Sequence, residues 1–165
     1  MKTTVYLAIG SNIGELSKNL DQAVQAVDAL EGTKVTKRSA NLSNAAYGVT
    51  DQDDFLNGVI EIITDLAPLD LLKAIKKIEK EMGRTETYRW GPRLIDIDII
   101  FYGDIVLDSQ ELTIPHIDMV NRDFVLGPLK EIAPNKKHPI YKKTVSELYQ
   151  DLIDRNQYNI RSSVY

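Results

Sequence analysis

Two aspartates interrupt an otherwise apolar segment that runs from Arg93 to Phe101. Asp96 and Asp98 are two residues apart, and side chains of a strand alternate between its faces with a rise of about 3.3 Å per residue. Both carboxylates are therefore expected on one face, with Cα atoms about 6.6 Å apart. An ionised Asp on a packed strand is costly unless it is paired or binds a metal. Such a pair suits two Mg²⁺ ions about 3.5–4 Å apart that hold a phosphoryl group during its transfer.

The alternative interpretation of this pair is an exposed strand face whose acids only keep the protein soluble. We rank that alternative second because we expect the other face of the strand to carry core side chains, namely Ile95, Ile97, Ile99 and Phe101.

The residues that precede this strand are rich in arginine and include the single tryptophan: Arg84, Arg89, Trp90 and Arg93. A guanidinium group is always charged and pairs with phosphate oxygens. Cationic side chains beside two carboxylates that could bind Mg²⁺ are suited to nucleotide chemistry, because both the cations and the metal ions pair with phosphate oxygens. For any one of these arginines the alternative is a surface ion pair with a nearby acid: Glu79, Glu81 or Glu86.

Further candidates are scattered along the chain. His116 lies six residues before Arg122 and could donate to a phosphate, although a lone His is more often structural and the spacing does not decide. Phe55 and Phe124 lie at the starts of elements, outside the clearest apolar stripes. With Asn57 they could enclose a flat heterocycle whose edge the amide recognises, and the alternative for both rings is core packing.

Composition limits the class of protein. With 165 residues, 43% hydrophobic and 27% charged, the chain is expected to form one domain over 1–165 with a real core. The net charge of −4 argues against a general nucleic-acid surface. Without Cys, disulfides, thiolate zinc sites and Cys nucleophiles are excluded, and two His in the chain argue against a catalytic zinc site.

Location and partners follow from segments that the sequence lacks. The first residues carry no long apolar signal segment, and no window approaches the ~18 apolar residues of a membrane span. We therefore expect a cytoplasmic protein without membrane contact. No stretch indicates an obligate protein partner.

The apolar periodicity predicts the elements that must position these residues. In the first half it predicts a strand over 4–9, a helix over 16–30, a weakly patterned strand over 33–43, a polar loop over 43–54 and a strand over 59–63. In the second half it predicts a helix over 68–82, a loop over 84–92, the acidic strand, a hairpin turn at Gly103-Asp104 into a strand over 105–107, and a helix within 121–132.

The end of the chain begins with a capping box, Thr144-Val145-Ser146-Glu147, which predicts a last helix to about 152. Residues beyond about 155 are expected to be loose or to add an edge strand from 158. The order β-α-β-β-α-β followed by helices predicts an α+β fold of ferredoxin-like type, an antiparallel sheet with helices packed on it.

Five segments form an ordered set that covers the chain to about Pro134. The most specific is Arg89-Trp90-Gly91-Pro92-Arg93-Leu94-Ile95-Asp96-Ile97-Asp98. The others are Ala8-Ile9-Gly10-Ser11-Asn12, Phe55-Leu56-Asn57, Ile114-Pro115-His116 and Asn121-Arg122-Asp123-Phe124-Val125-Leu126. Together they resemble the 6-hydroxymethyl-7,8-dihydropterin pyrophosphokinase family of folate biosynthesis.

The resemblance implies a ferredoxin-like fold and transfer of a diphosphate group from ATP to the hydroxymethyl group of the pterin, with release of AMP. It implies that Asp96 and Asp98 hold two Mg²⁺ ions on the triphosphate. The ATP-binding residues it implies are Glu79, Trp90, Arg93, His116 and Arg122, and the pterin-binding residues are Phe55, Asn57 and Phe124. Arg84 and Arg93 would assist the reaction at the phosphates.

Two closing loops are also implied, one that carries Arg84 and Trp90 and one over 43–54. Family members often have a second Arg where this chain has Thr85-Glu86, and prolines where 43–48 has none. These differences leave lid closure and rate open. The chain is too short for fused neighbouring enzymes of the pathway, so we expect one activity.

Two other functions compete with this interpretation. A non-catalytic ferredoxin-like module would bind a ligand or partner without consuming ATP. A palm-type nucleotidyltransferase would share the two-metal chemistry but would need the basic surface that the net charge argues against.

Overall fold

The computed structural model describes residues 2–44, 55–83 and 94–164, without the side chains of Asn44 and 158–164. Its strands are β1 (Thr3–Ser11), β2 (Thr33–Arg38), β3 (Leu42–Asn44), β4 (Phe55–Thr64), β5 (Asp96–Tyr102), β6 (Leu107–Asp108) and β7 (Thr113–Ile114). Its helices are α1 (Leu16–Asp28), α2 (Pro68–Glu81), a 3-10 turn (Met119–Asn121), α3 (Asp123–Ile132) and α4 (Val145–Val164). In this part of the chain no helix is long and apolar enough to cross a membrane.

The main sheet has the strand order β2-β4-β1-β5, and β3 pairs with β4 beyond the end of β2. All of these pairs are antiparallel. The central strand β1 places Val5 opposite Ile62 and Ser11 opposite Leu56. This arrangement confirms the predicted α+β fold with a ferredoxin-like antiparallel sheet.

Helices cover both faces of the sheet. α1 and α2 pack on one face through apolar stripes that meet the strands, including Leu20, Ala23, Val27, Leu71, Ile75 and Ile78. α3 and α4 pack on the other face through a second cluster that includes Tyr6, Val59, Ile100, Val125, Leu126 and Leu148. The described sheet thus lies between two helical layers. Strand β5 forms one edge of this sheet, and β1 is the one strand of the described sheet with which it pairs.

A bulge in β5 changes the face of Phe101. Leu7 pairs with Ile99, whereas Tyr6 pairs with Phe101, so Ile100 is an extra residue between them. Phe101 consequently packs with the cluster under α3 and α4. The prediction that it shares a face with Ile95, Ile97 and Ile99 is wrong, because strict alternation ends at the bulge.

The predicted strand over 33–43 is in fact two strands, since the chain leaves the β2 ladder at Ser39. The Ser39 N–H donates to the Val59 carbonyl, and the Val59 N–H donates to the Ser39 hydroxyl, both at 2.9 Å. Pairing with β4 resumes at Leu42, opposite Asn57. The strand predicted over 59–63 corresponds to β4, which is longer than predicted and runs from Phe55 to Thr64.

The predicted hairpin after β5 is wrong. The turn itself exists, because Gly103 has φ +53 and the Ile105 N–H donates to the Tyr102 carbonyl at 3.1 Å. The next strand, β6, pairs instead with β7. Lys136 donates to the Gly103 carbonyl at 2.9 Å and to Asp104 at 2.7 Å, so the turn is bound to the segment after α3.

The last helix begins at the predicted capping box. The Thr144 N–H donates to a Glu147 carboxylate oxygen at 2.9 Å, and the Glu147 N–H donates to the Thr144 hydroxyl at 3.2 Å. The backbone stays helical to Val164, so the predicted edge strand from 158 is wrong.

Candidate active site

The two aspartates lie at the start of β5, where the strand is least covered. Asp96 pairs with Gly10 and Asp98 with Ala8 across the ladder to β1. Asp98 is exposed and Asp96 half-buried, whereas Ile97 between them is 2% exposed and faces the other way. Their partners on β1 are the two smallest amino acids, so the neighbouring strand places no large side chain directly beside the carboxylates.

A row of three residues crosses the sheet at Gly10. Gly10 pairs with Asn57 of β4 on one side and with Asp96 of β5 on the other. Since neighbouring strands are about 4.8 Å apart, Asn57 and Asp96 are about 10 Å apart on one face. Phe55, half-buried, begins β4 two residues before Asn57 and therefore shares that face.

His116 is attached to β5 by its backbone, whose N–H donates to the Ile100 carbonyl at 3.0 Å. Its Nδ1 accepts the Asp118 N–H at 3.2 Å, so the proton of the neutral ring is on Nε2. Burial lowers the pKa of His116; the Asp98 carboxylate opposes this shift, Arg122 adds to it, and Asp118 opposes it. Near neutral pH the ring is therefore an uncharged Nε2–H donor, the form that can bind a phosphate oxygen.

Arg122 connects the His116 segment with the start of α3. Its guanidinium is 3.7 Å from the Asp118 carboxylate and 5.7 Å from the centroid of the Phe124 ring. About a third of the side chain is exposed. Phe124 is half-buried against the cluster under α3 and α4. Arg122 thus lies beside both Asp118 and the Phe124 ring, and the charges of Asp98 and Arg122 act on His116 in opposite directions.

Glu79 lies elsewhere. It belongs to α2, on the side of the sheet opposite to the aspartates, and is 2% exposed. One carboxylate oxygen accepts the Ile97 N–H at 2.9 Å, and the other is 3.4 Å from the Lys76 Nζ. These contacts are with the protein's own chain, and the nucleotide role stays a prediction.

Several candidates fall outside the described residues. These are Arg84, Arg89, Trp90 and Arg93, together with most of the predicted lid over 43–54. Within 2–44, 55–83 and 94–164 no group of three or more His, Cys, Asp or Glu could hold a metal. The pair of carboxylates still fits Mg²⁺, because this ion usually binds one or two protein carboxylates and takes its other ligands from phosphates and water.

Comparison with known proteins identifies the family. The profile of the 7,8-dihydro-6-hydroxymethylpterin-pyrophosphokinase (HPPK) family matches residues 6–134. The chain belongs to this family. The HPPK relatives include the 2-amino-4-hydroxy-6-hydroxymethyldihydropteridine pyrophosphokinase of Aquifex aeolicus, 44% identical over 144 residues that cover 87% of this chain and 89% of the relative. The enzyme of the same name from Haemophilus influenzae is 39% identical over 151 residues, which cover 92% and 94% of the two chains.

Solved structures support the HPPK fold. The HPPK-DHPS of Plasmodium falciparum crystallised with pteroate superposes with a TM-score of 0.76 at 18% identity, covering 96% of this chain and 44% of that one. The chain therefore spans less than half of that fused protein. At this identity the likeness concerns the fold alone.

Sequence reasoning missed three residues around the HPPK candidate site. Ala8 and Gly10 are the cross-strand partners of the aspartates, and Asp118 contacts both His116 and Arg122. Small residues in a strand are a weak signal, and their importance depends on the register, which no local pattern contains. Asp118 was detectable only as an acid two residues from a candidate histidine.

Proposed function

We propose that this HPPK chain binds ATP and 6-hydroxymethyl-7,8-dihydropterin and transfers the diphosphate group of ATP to the pterin hydroxyl, releasing AMP. Asp96 and Asp98 would hold two Mg²⁺ ions on the triphosphate. The observation that carries the proposal is the row Asn57-Gly10-Asp96. Asn57, whose amide we propose to recognise the heterocycle, lies in this row about 10 Å from Asp96, which we propose as a metal ligand, and on the same face of the sheet.

The pterin end of the site consists of an amide and two rings. Asn57 supplies both a donor and an acceptor for the edge of the heterocycle, and Phe55 and Phe124 supply flat apolar surfaces. The hydroxymethyl group would extend from Asn57 along the row towards Asp96. There its oxygen would attack the β-phosphorus of ATP, and the bond from that phosphorus to the oxygen of AMP would break.

The phosphate end of the site supplies positive charge and hydrogen-bond donors. Bound Mg²⁺ would neutralise the phosphate oxygens and align the reacting groups, the main requirement of phosphoryl-type transfer. The His116 Nε2–H and the Arg122 guanidinium would bind phosphate oxygens. Arg84, Trp90 and Arg93 would complete this end, as the family resemblance implies. No described residue is assigned as the base that accepts the hydroxyl proton.

The test is an incubation of the full chain with ATP, Mg²⁺ and 6-hydroxymethyl-7,8-dihydropterin, with AMP and ADP separated by chromatography. We expect AMP that depends on the pterin and disappears with a chelator. ADP would indicate a simple kinase, and absence of turnover by the folded chain would favour a binding module. A product whose amount increases when nucleic acid is added would favour the nucleotidyltransferase.

Asp96→Asn provides the matched variant, because it keeps the size of the side chain and removes the charge. We expect it to fold and to form no AMP.

The cytoplasmic location predicted from the sequence is part of the proposal, and cell fractionation followed by the same assay tests it.

A further inference from the structure

The edge of β5 that faces away from β1 is hydrogen-bonded to a side chain of helix α2. In an antiparallel ladder the N–H and C=O groups of successive residues point alternately to the two sides of a strand. The Ile97 N–H points away from β1 and donates to Glu79 at 2.9 Å. The main-chain groups of Asp96 and Asp98 therefore point towards β1. The edge is bonded to α2 at the residue that separates the two aspartates.

Glu79 is itself an improbable core residue. The burial of a carboxylate that is 2% exposed is costly unless hydrogen bonds and a nearby cation replace its contacts with water. Glu79 has both, in the Ile97 N–H and in Lys76 Nζ at 3.4 Å. Its neighbours on the buried side of α2 are Leu71, Ile75 and Ile78. An apolar residue at position 79 would continue this stripe but would leave the Ile97 N–H without its acceptor.

We propose that Glu79 is a positioning residue for the two aspartates. Its carboxylate fixes the backbone of β5 at Ile97. It thereby sets the separation and direction of the side chains of Asp96 and Asp98, which precede and follow Ile97 in the strand. This inference rests on the proposed role of the pair as Mg²⁺ ligands. It gives Glu79 a different role from the nucleotide contact that the family resemblance implies, because the hydrogen bond reaches the main chain from the α2 side.

The first test follows the Ile97 amide by hydrogen exchange and NMR, without any substrate. We compare the wild-type chain with Glu79→Gln, which keeps an acceptor oxygen, and with Glu79→Leu, which does not. The Ile97 amide is expected to be protected in the first two proteins and to exchange about tenfold faster or more in the third. Glu81→Gln, at an exposed position of the same helix, is the matched control and should leave the exchange unchanged.

The second test measures AMP formation at varied Mg²⁺, ATP and pterin. Glu79→Leu is expected to lower kcat about 10- to 100-fold and to raise the Mg²⁺ concentration that gives half-maximal rate. The KM for the pterin should stay unchanged. Glu79→Gln should recover most of both properties, because the acceptor is retained. Direct binding of Mn²⁺ with ATP, observed by electron paramagnetic resonance, should weaken in the Leu variant alone.

Three outcomes would overturn the proposal. The first is an unprotected Ile97 amide in the wild-type chain, which can be measured even if the Leu variant does not fold. The second is a KM for ATP that rises in Glu79→Gln while the amide stays protected, since that result indicates a direct nucleotide contact. The third is normal kcat and Mg²⁺ dependence in a Leu variant whose amide has been released. Wild-type protein that forms no AMP would instead refute the proposed function.

Discussion

A Cβ atom at Gly10 would lie 2.7 Å from the Oδ1 of Asn57, its partner on β4. Real Cβ atoms do not approach an oxygen this closely, so the side-chain amide of Asn57 occupies space that every other residue at position 10 would need. The backbone of Gly10 needs no positive φ. The glycine is therefore required for the space above it and not for its conformational freedom.

Gly10→Ala should consequently impair pterin binding more than ATP binding. The new methyl group displaces the Asn57 amide, and the loss of one or two hydrogen bonds to the ligand corresponds to about 1–2 kcal/mol, or a roughly 5- to 30-fold higher KM for the pterin. The KM for ATP should change less than about twofold. Steady-state kinetics of AMP formation measure both constants.

Gly58→Ala is the matched control on the neighbouring position of β4. A Cβ there would have ordinary contacts, the nearest at 3.4 Å to Asn41 and Ser39. This variant should keep a KM for the pterin close to wild type. Equal increases in the two variants, or an increase for ATP as large as for the pterin in Gly10→Ala, would contradict the steric explanation.

Asp98→Asn should change a histidine as well as the reaction. The Asp98 carboxylate raises the pKa of His116 against the effect of burial, so removing its charge should lower that pKa further. AMP formation should fall by about 100-fold or more, because one of two proposed Mg²⁺ ligands loses its charge. Since Asp98 is exposed, the free energy of unfolding should stay within about 0.5 kcal/mol.

An NMR titration measures the pKa of His116, and urea unfolding measures the free energy of unfolding. Asp108→Asn, another exposed aspartate of a strand, serves as the control for the loss of one negative charge. It should leave the His116 titration and the activity unchanged. A His116 pKa that rises in Asp98→Asn would refute the predicted effect of the Asp98 charge on this histidine.

His138 should make the stability depend on pH. Its ring is 3% exposed and stacks on Tyr141 at 4.4 Å, and its Nδ1 accepts the N–H groups of Ile140 and Tyr141 at 3.1 and 3.2 Å. Burial lowers the pKa of His138. The unfolded chain therefore binds the proton first as the pH falls below about 6.5, and stability is lost from there down to the native pKa.

His138→Asn keeps an acceptor oxygen and does not titrate. Urea unfolding between pH 7.5 and 5.5 should show a smaller loss of stability in the variant than in the wild-type chain. At pH 7.5 the variant should be less stable by about 1 kcal/mol or more, because the aromatic contact is lost. His116 titrates in both proteins, so the difference between the two curves isolates His138. Parallel curves would contradict the prediction.

The capping box at α4 should contribute to stability through the Thr144 hydroxyl. Thr144→Ala removes the acceptor of the Glu147 N–H and should destabilise the protein by about 1 kcal/mol. Thr144→Ser keeps the hydroxyl and should cost much less. Urea unfolding at pH 7 compares the variants, and an equal loss in both would indicate that the methyl group, not the hydrogen bond, matters.

The local elements were predictable from the sequence because their causes are local. The 3.6-residue stripes of α1 and α2, the Pro68 start, the Gly83 stop and the Thr144 capping box each depend on residues within a few positions. The alternation of strands likewise predicts that Asp96 and Asp98 share a face. The order of these elements was enough for the fold class, and the long motif from Arg89 to Asp98 was enough for the family.

The sequence did not contain the register between strands, the bulge at Ile100, the break at Ser39 or the pairing of β6 with β7. Each of these depends on contacts between segments far apart in the chain, and their energies decide among alternatives that local periodicity leaves equal. In the row Asn57-Gly10-Asp96, the two outer residues lie 47 and 86 positions from Gly10 in the chain, and only the register of β1 with β4 and β5 brings the three together. Glu79 is the clearest case, because this acid on an apolar helix stripe accepts the Ile97 N–H only when β5 lies beside α2.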